Sequence, residues 1–159
     1  MKISIITVGK IKEKYWKDAI AEYQKRLGRY CRLEIYEAAD EKTPEECSER
    51  ERLLILSKEA ERMKKYIDPE AYTIALAIEG ESLDSVQFSK KLEQLFLYGK
   101  SCIQFLIGGS LGMSPELLKQ ADYRLSFSAM TFPHQMMRVI LLEQIYRACK
   151  IMKSEPYHK

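Results

Sequence analysis

The feature that most restricts this 159-residue chain is its alternation of two hydrophobic periods. Short β-type runs recur at Lys2–Val8, Arg32–Ala38, Ala71–Ile78, Ile103–Ile107 and Tyr123–Phe127, and a helix-type stretch follows each one. The predicted helices cover Glu13–Tyr30, Pro44–Ile67, Ser82–Tyr98, a short segment opened by Ser114-Pro115, and Pro133–Met152. Strand followed by helix, five times over, predicts an α/β fold with a mostly parallel sheet flanked by helices. Ala71–Ile78 (AYTIALAI) is apolar without alternation, as expected of a central strand covered on both faces. Its length and the lack of a linker, internal repeat or low-complexity tract make residues 1–159 a single domain.

Three of the strand ends run into glycine or serine turns, at Leu76–Gly80, Gly108–Gly112 and Phe127–Phe132. Open α/β sheets bind ligands at the carboxyl edges of their strands, so these turns are the candidate site. Between them, Ser114 reads as a helix N-cap with Pro115 at the first helical position. Several chemistries are excluded. No G-x-x-x-x-G-K-[ST] and no G-x-G-x-x-G follows the first strand, and there is no G-x-S-x-G elbow. Four cysteines without C-x-x-C spacing and two histidines predict no metal site, and reduced thiols in a cytoplasmic protein. No run is long enough to span a membrane, and the opening MKISIITVGK is too short and too soon broken for a signal peptide.

Charge is distributed unevenly. Residues 1–32 hold nine Lys/Arg against three Asp/Glu, residues 33–100 ten against sixteen, and residues 101–159 seven against four. The basic first segment includes Lys10, Lys12, Lys14, Lys17, Lys25, Arg26 and Arg29 around the first glycine turn, a cluster able to steer a phosphate backbone. The helix Pro44–Ile67 is highly charged, and its apolar positions Leu53, Leu54, Leu56, Ala60, Met63 and Ile67 make only a limited inward stripe. The last helix is the reverse. From Met136 to Met152 it is apolar around most of its circumference, which requires burial and points to a homodimer.

Ile107–Gly112 (IGGSLG), Leu125–Ala148 (LSFSAMTFPHQMMRVILLEQIYRA) and the ending Tyr157-His158-Lys159 resemble the ribosomal RNA large subunit methyltransferase H family, of the SPOUT class. Val8–Tyr30 and Leu76–Gly80 match it too, so the similarity spans essentially the whole chain. The resemblance implies methyl transfer from S-adenosyl-L-methionine to N3 of a pseudouridine in 23S rRNA of the assembled ribosome. It also implies a SPOUT-type α/β knot with a C-terminal trefoil knot, and a homodimer. By the same resemblance Leu76, Gly108, Phe127, Ser128, Ala129, Met130, Thr131 and Phe132 occupy the cofactor positions, with Gly108 keeping the approach to the ligand open. Tyr157 and His158 are placed near the target base: the imidazole as proton acceptor, since this residue type titrates near neutrality, and the phenol as a stacking or hydrogen-bonding group. Arg138 is the third catalytic candidate, favouring the deprotonated base or contacting phosphate, with a pairing to Glu143 or another acid as the alternative. Two departures stand out. Gly80-Glu81 replaces a common Gly-Lys, and Asp84 a common serine, so this rim is more acidic than the family pattern.

Overall fold

The computed structural model describes residues 1–159. Five strands form one sheet in the order β2-β1-β4-β3-β5, and every adjacent pair is parallel. The elements are β1 (Lys2–Val8), α1 (Lys14–Leu27), β2 (Arg32–Ala38), α2 (Glu49–Lys64), β3 (Tyr72–Ser82), α3 (Ser85–Leu97), β4 (Cys102–Ile107), α4 (Pro115–Gln120), β5 (Tyr123–Ser126) and α5 (His134–Met152). The alternation of the sequence is thus the alternation of the fold, and the sheet is wholly rather than mostly parallel.

Strand residues sort to two faces by parity. Ile3, Ile5, Ile103, Phe105, Ile74 and Leu125 meet Leu27 of α1, Phe88 and Leu92 of α3, and Leu141, Leu142, Ile145 and Ala148 of α5. Ile6, Val8, Leu106 and Ala75 turn to the other face, against Ala60 and Met63 of α2 and Leu117 of α4. Alternate side chains of a strand point to opposite faces, so each central strand serves two cores at once.

Helix starts correct the predicted boundaries. α2 begins at Glu49 rather than Pro44, because Ser48 and Glu51 form a reciprocal capping box that fixes the first turn there. α3 begins at Ser85 for the same reason, with Asp84 and Gln87 as the pair. The acidic residue at 84 is therefore a working cap, as serine would be. Ser114 caps α4 with Pro115 beside it, as predicted. On α2 the inward residues are Ile55, Leu56, Glu59, Ala60 and Met63, while Leu53 and Leu54 are exposed.

α5 lies across the sheet between α1 and α3. None of its residues is fully exposed. Packing within one chain accounts for Leu141, Leu142, Ile145, Ala148 and Cys149. Met136, Val139 and Ile140 are only half covered, and they share an outer stripe with Glu143 and Arg147. No helix is long and apolar enough to cross a membrane.

Candidate active site

The carboxyl ends of β3, β4 and β5 are neighbours, and the segments leaving them enclose a cavity of about 390 Å³. Its walls include Leu76, Ala77, Ile78 and Glu79 from β3, Ile107–Met113 after β4, and Leu125, Phe127, Ser128, Met130, Thr131 and Phe132 after β5. Leu118, His134, Met137 and Arg52 complete it. Every residue predicted to hold the cofactor lines this cavity except Ala129, which is exposed beside it.

Glycine shapes these walls, though not in the predicted way. The stretch Leu76–Gly80 is no turn: β3 continues to Ser82. Leu125 of β5 pairs with both Leu76 and Glu81, so Ala77–Gly80 bow out of the ladder as a bulge. At Gly80 a Cβ would lie 2.8 Å from the Arg124 and Leu125 backbone, so only glycine lets the bulge rejoin its neighbour. At Gly108 a Cβ would lie 2.2 Å from the Gly112 carbonyl oxygen. Glycine there lets the loop close on itself, which corrects the expectation that it clears a path for the ligand. Gly112 takes φ +85, a left-handed conformation that glycine adopts without strain. The last loop is set by serines: Ser126 Oγ donates to Ser128 O at 3.2 Å, and Met130 N donates to Ser128 Oγ at 3.0 Å.

The glycine loop is braced from the α2 side. Arg52 Nη2 donates to Leu111 O at 3.4 Å, and Thr43 and Ser110 hydroxyls lie 3.3 Å apart. Glu59 lies behind Gly109, where a Cβ would be 3.4 Å from its carboxylate oxygens. Burial holds the Glu59 carboxyl above the usual range, opposed by the hydrogen bond it accepts from Glu41 N.

Arg138 is 2% exposed. It pairs with Glu37 at 2.8 Å and donates to the carbonyls of Val8 (2.9 Å) and Gly9 (2.6 Å), tying α5 to the end of β1. The structure shows the alternative reading, a pairing with an acid, and the acid is Glu37 rather than Glu143. His134 sits nearby, and burial, then the Arg138 charge, lower its pKa.

Glu143 belongs to a second cluster, on the outer stripe of α5. Its Oε2 accepts from Tyr23 Oη at 2.6 Å and from Tyr157 Oη at 2.8 Å, and its Oε1 accepts from Arg147 at 2.6 and 2.9 Å. The Arg147 guanidinium lies 4.6 Å from the Tyr157 ring centroid and its Nη1 is 3.4 Å from His158 Nδ1. Tyr146 meets the Tyr157 ring edge-on at 4.9 Å, and Glu155 is held by Lys150 and Tyr30. Burial and then Glu143 raise the Tyr157 phenol's pKa, so it is a neutral hydrogen-bond donor. The tail is therefore docked, and Tyr157 and His158 are brought together with each other but not with the cavity. Nine residues of α-helix, roughly 14 Å, separate His134 at the cavity from Glu143. Sequence reasoning missed Glu143, Arg147 and Tyr23 as the tail's anchors. The i,i+4 spacing of Glu143 and Arg147 was the available signal.

Known proteins agree with this architecture. Residues 1–158 match the family model described as "Predicted SPOUT methyltransferase". The chain belongs to the SPOUT methyltransferase family. Among its SPOUT relatives, the ribosomal RNA large subunit methyltransferase H of Bifidobacterium adolescentis is 64% identical over 159 residues, covering all of both chains. The proteins of the same name from Clostridium kluyveri and an Exiguobacterium strain are 58% and 55% identical, again over both full lengths. A solved structure of a probable methylase family protein from Haemophilus influenzae superposes with a TM-score of 0.54 at 15% identity, over 99% of this chain and 70% of that one, a likeness of fold. The methyl donor of SPOUT enzymes is S-adenosyl-L-methionine, and the cavity suits such a molecule. It offers apolar walls (Leu76, Ile107, Leu125, Phe127, Met137), the unladdered backbone of Ala77–Gly80 and the Glu79 carboxylate, in a volume within the range of small-molecule sites.

Proposed function

We propose that the protein methylates N3 of a pseudouridine in 23S rRNA of the assembled ribosome, working as a homodimer whose C-terminal segment is threaded into a trefoil knot. S-adenosyl-L-methionine supplies the electrophilic methyl group. Leu76, Gly108 and Phe127–Phe132 hold it, chiefly through main-chain groups around the adenosine. Membership of the SPOUT family supports the knot, and the relatives' names support the rRNA substrate.

One observation carries the reading: the cavity and the docked Tyr157-His158 pair lie at separate positions along α5. A tail fixed this far from its own cavity can serve the cavity of a second copy. The half-covered Met136, Val139 and Ile140 lie on the same stripe as the tail's anchors, which supports an interface there. In that arrangement Tyr157, its hydroxyl proton committed to Glu143, accepts a hydrogen bond from the target base or stacks on it. His158, whose Nδ1 lies 3.4 Å from Arg147 Nη1, is the group that takes the proton leaving N3. The rest of the rate comes from alignment. Arg138 supports the site from the interior by fixing the start of α5. The test is mass spectrometry of 23S rRNA from cells lacking the gene. Loss of one N3-methylpseudouridine, restored by the wild-type gene, is expected, and an unchanged modification pattern would overturn the assignment.

A further inference from the structure

We propose that the exposed segment leaving β1, with Lys10, Lys12, Tyr15 and Lys17, is the surface along which rRNA lies as it reaches the cavity, and that the β3–α3 rim stays clear of it. The identity of the polyanion rests on the methyltransferase reading above. The placement rests on geometry. The end of β1 abuts the cavity: a Cβ on Gly109 would lie 3.1 Å from Val8 Cγ1, and one on Gly9 3.6 Å from His134 Nε2, a residue of the cavity wall. Arg138 grips the Val8 and Gly9 carbonyls, so the chain leaves this edge from a fixed point.

Beyond that point Lys10, Lys12 and Lys17 are exposed and form no ion pair, whereas Lys14 is taken by Asp18 at 2.6 Å. Glu13 and Asp40 act on His134 at the inner side of the segment. Tyr15 is 64% exposed and meets Trp16 edge-on at 5.0 Å, so its ring has an open face. Unpaired cations around an exposed aromatic ring are what a flexible nucleic acid strand requires: charge for phosphates and a platform for a base. Across the mouth the rim carries Glu79, Glu81 and Asp84. Glu81 accepts from Tyr123 Oη at 2.6 Å and Asp84 caps α3, so both acids are fixed in place. The mouth is positive on one side and negative on the other, which attracts a polyanion to the β1–α1 side and repels it from β3–α3.

The experiment compares Lys10→Glu/Lys12→Glu/Lys17→Glu, Tyr15→Ala, and a control Lys90→Glu/Lys100→Glu, on α3 and in the connection that follows it, with ribosome binding followed by filter retention over a range of salt. Thermal melting and calorimetric titration with S-adenosyl-L-methionine verify that each variant is folded. The triple variant should bind ribosomes at least about tenfold more weakly, with a salt slope reduced by about 2 in log–log units. Tyr15→Ala should lose roughly fivefold or more without a change of slope. The control should stay within about twofold of wild type, as few phosphate contacts fall on that side. Unchanged affinity and slope in the triple variant, or an equal loss in the control, would overturn the proposal. Binding is read without turnover, so the two claims separate. A wild-type protein that binds ribosomes through this surface yet transfers no methyl group would uphold the surface and refute the activity.

Discussion

The cavity and the docked tail are built from different materials. The cavity is made of backbone: a bulge in β3 that only Gly80 allows, a loop that closes only with Gly108, and a serine-set turn after β5. The tail site is made of side chains gathered on one carboxylate, with Tyr23, Tyr157 and Arg147 all directed at Glu143. Main-chain sites fix shape with few side-chain functional groups, which suits holding a cofactor. Side-chain hubs fix orientation, which suits presenting a phenol and an imidazole to a substrate. The difference predicts that the two regions fail in different ways.

The largest effect should come from Gly108→Val. With the Cβ position 2.2 Å from the Gly112 oxygen the loop must open, and affinity for S-adenosyl-L-methionine should fall by about a hundredfold or more in calorimetry, since the site loses its shape. Retained affinity would show that the loop is not a wall of the site. Next, Glu143→Ala should release the tail and lower kcat about a hundredfold, with cofactor affinity within about twofold of wild type, because misplacing a reacting group by about 1 Å costs that much. A loss of cofactor binding instead would merge the two regions into one. Tyr23→Phe removes one of the two phenols on Glu143 Oε2 and keeps the ring contact with Tyr146. Its kcat should drop by roughly tenfold, the value of one hydrogen bond to a charged group.

The smallest effect is on stability and concerns the brace behind the glycine loop. The folded-state pKa of Glu59 is raised, so its contribution to stability is fully present below the unfolded-state value and is lost as pH rises through the folded one. Glu59→Gln should therefore gain in melting temperature relative to wild type as pH rises from the acid range towards neutrality. No such divergence would mean that the carboxylate is better compensated than its surroundings indicate.

These differences in construction also explain what the sequence discloses. Strand and helix order follows from period, and Lys2–Val8 and Arg32–Ala38 coincide with β1 and β2 residue for residue. Caps are local, so Ser114-Pro115 was legible, whereas Pro44–Cys47 reads as helix until Ser48 and Glu51 are seen to close their box. The β3 bulge was misread as a turn because glycine signals both, and the choice depends on Leu125 pairing twice across the ladder. Likewise the Gly108 loop was recognisable as a turn at a strand end, and it lines the cavity, but the reason for its glycine lies in contact with Gly112. Arg138 and Glu143 are five residues apart on one helix, yet their partners come from β2 and from the α1 and C-terminal segments. Long-range choices of this kind leave no periodic trace. The docked tail is the plainest case: nothing in its composition separates a held Tyr157 from a frayed end.

The central claim is that one protomer's cavity works with its partner's tail. Co-expressing a cavity-defective Gly108→Val chain with a chain lacking Tyr157–Lys159 tests it most directly. Each chain alone should be inactive. Random pairing makes half the dimers mixed, each with one intact composite site, so the mixture should recover about a quarter of wild-type methyl transfer to ribosomes. A mixture as inactive as its components, with mixed dimers verified by mass, would contradict the account.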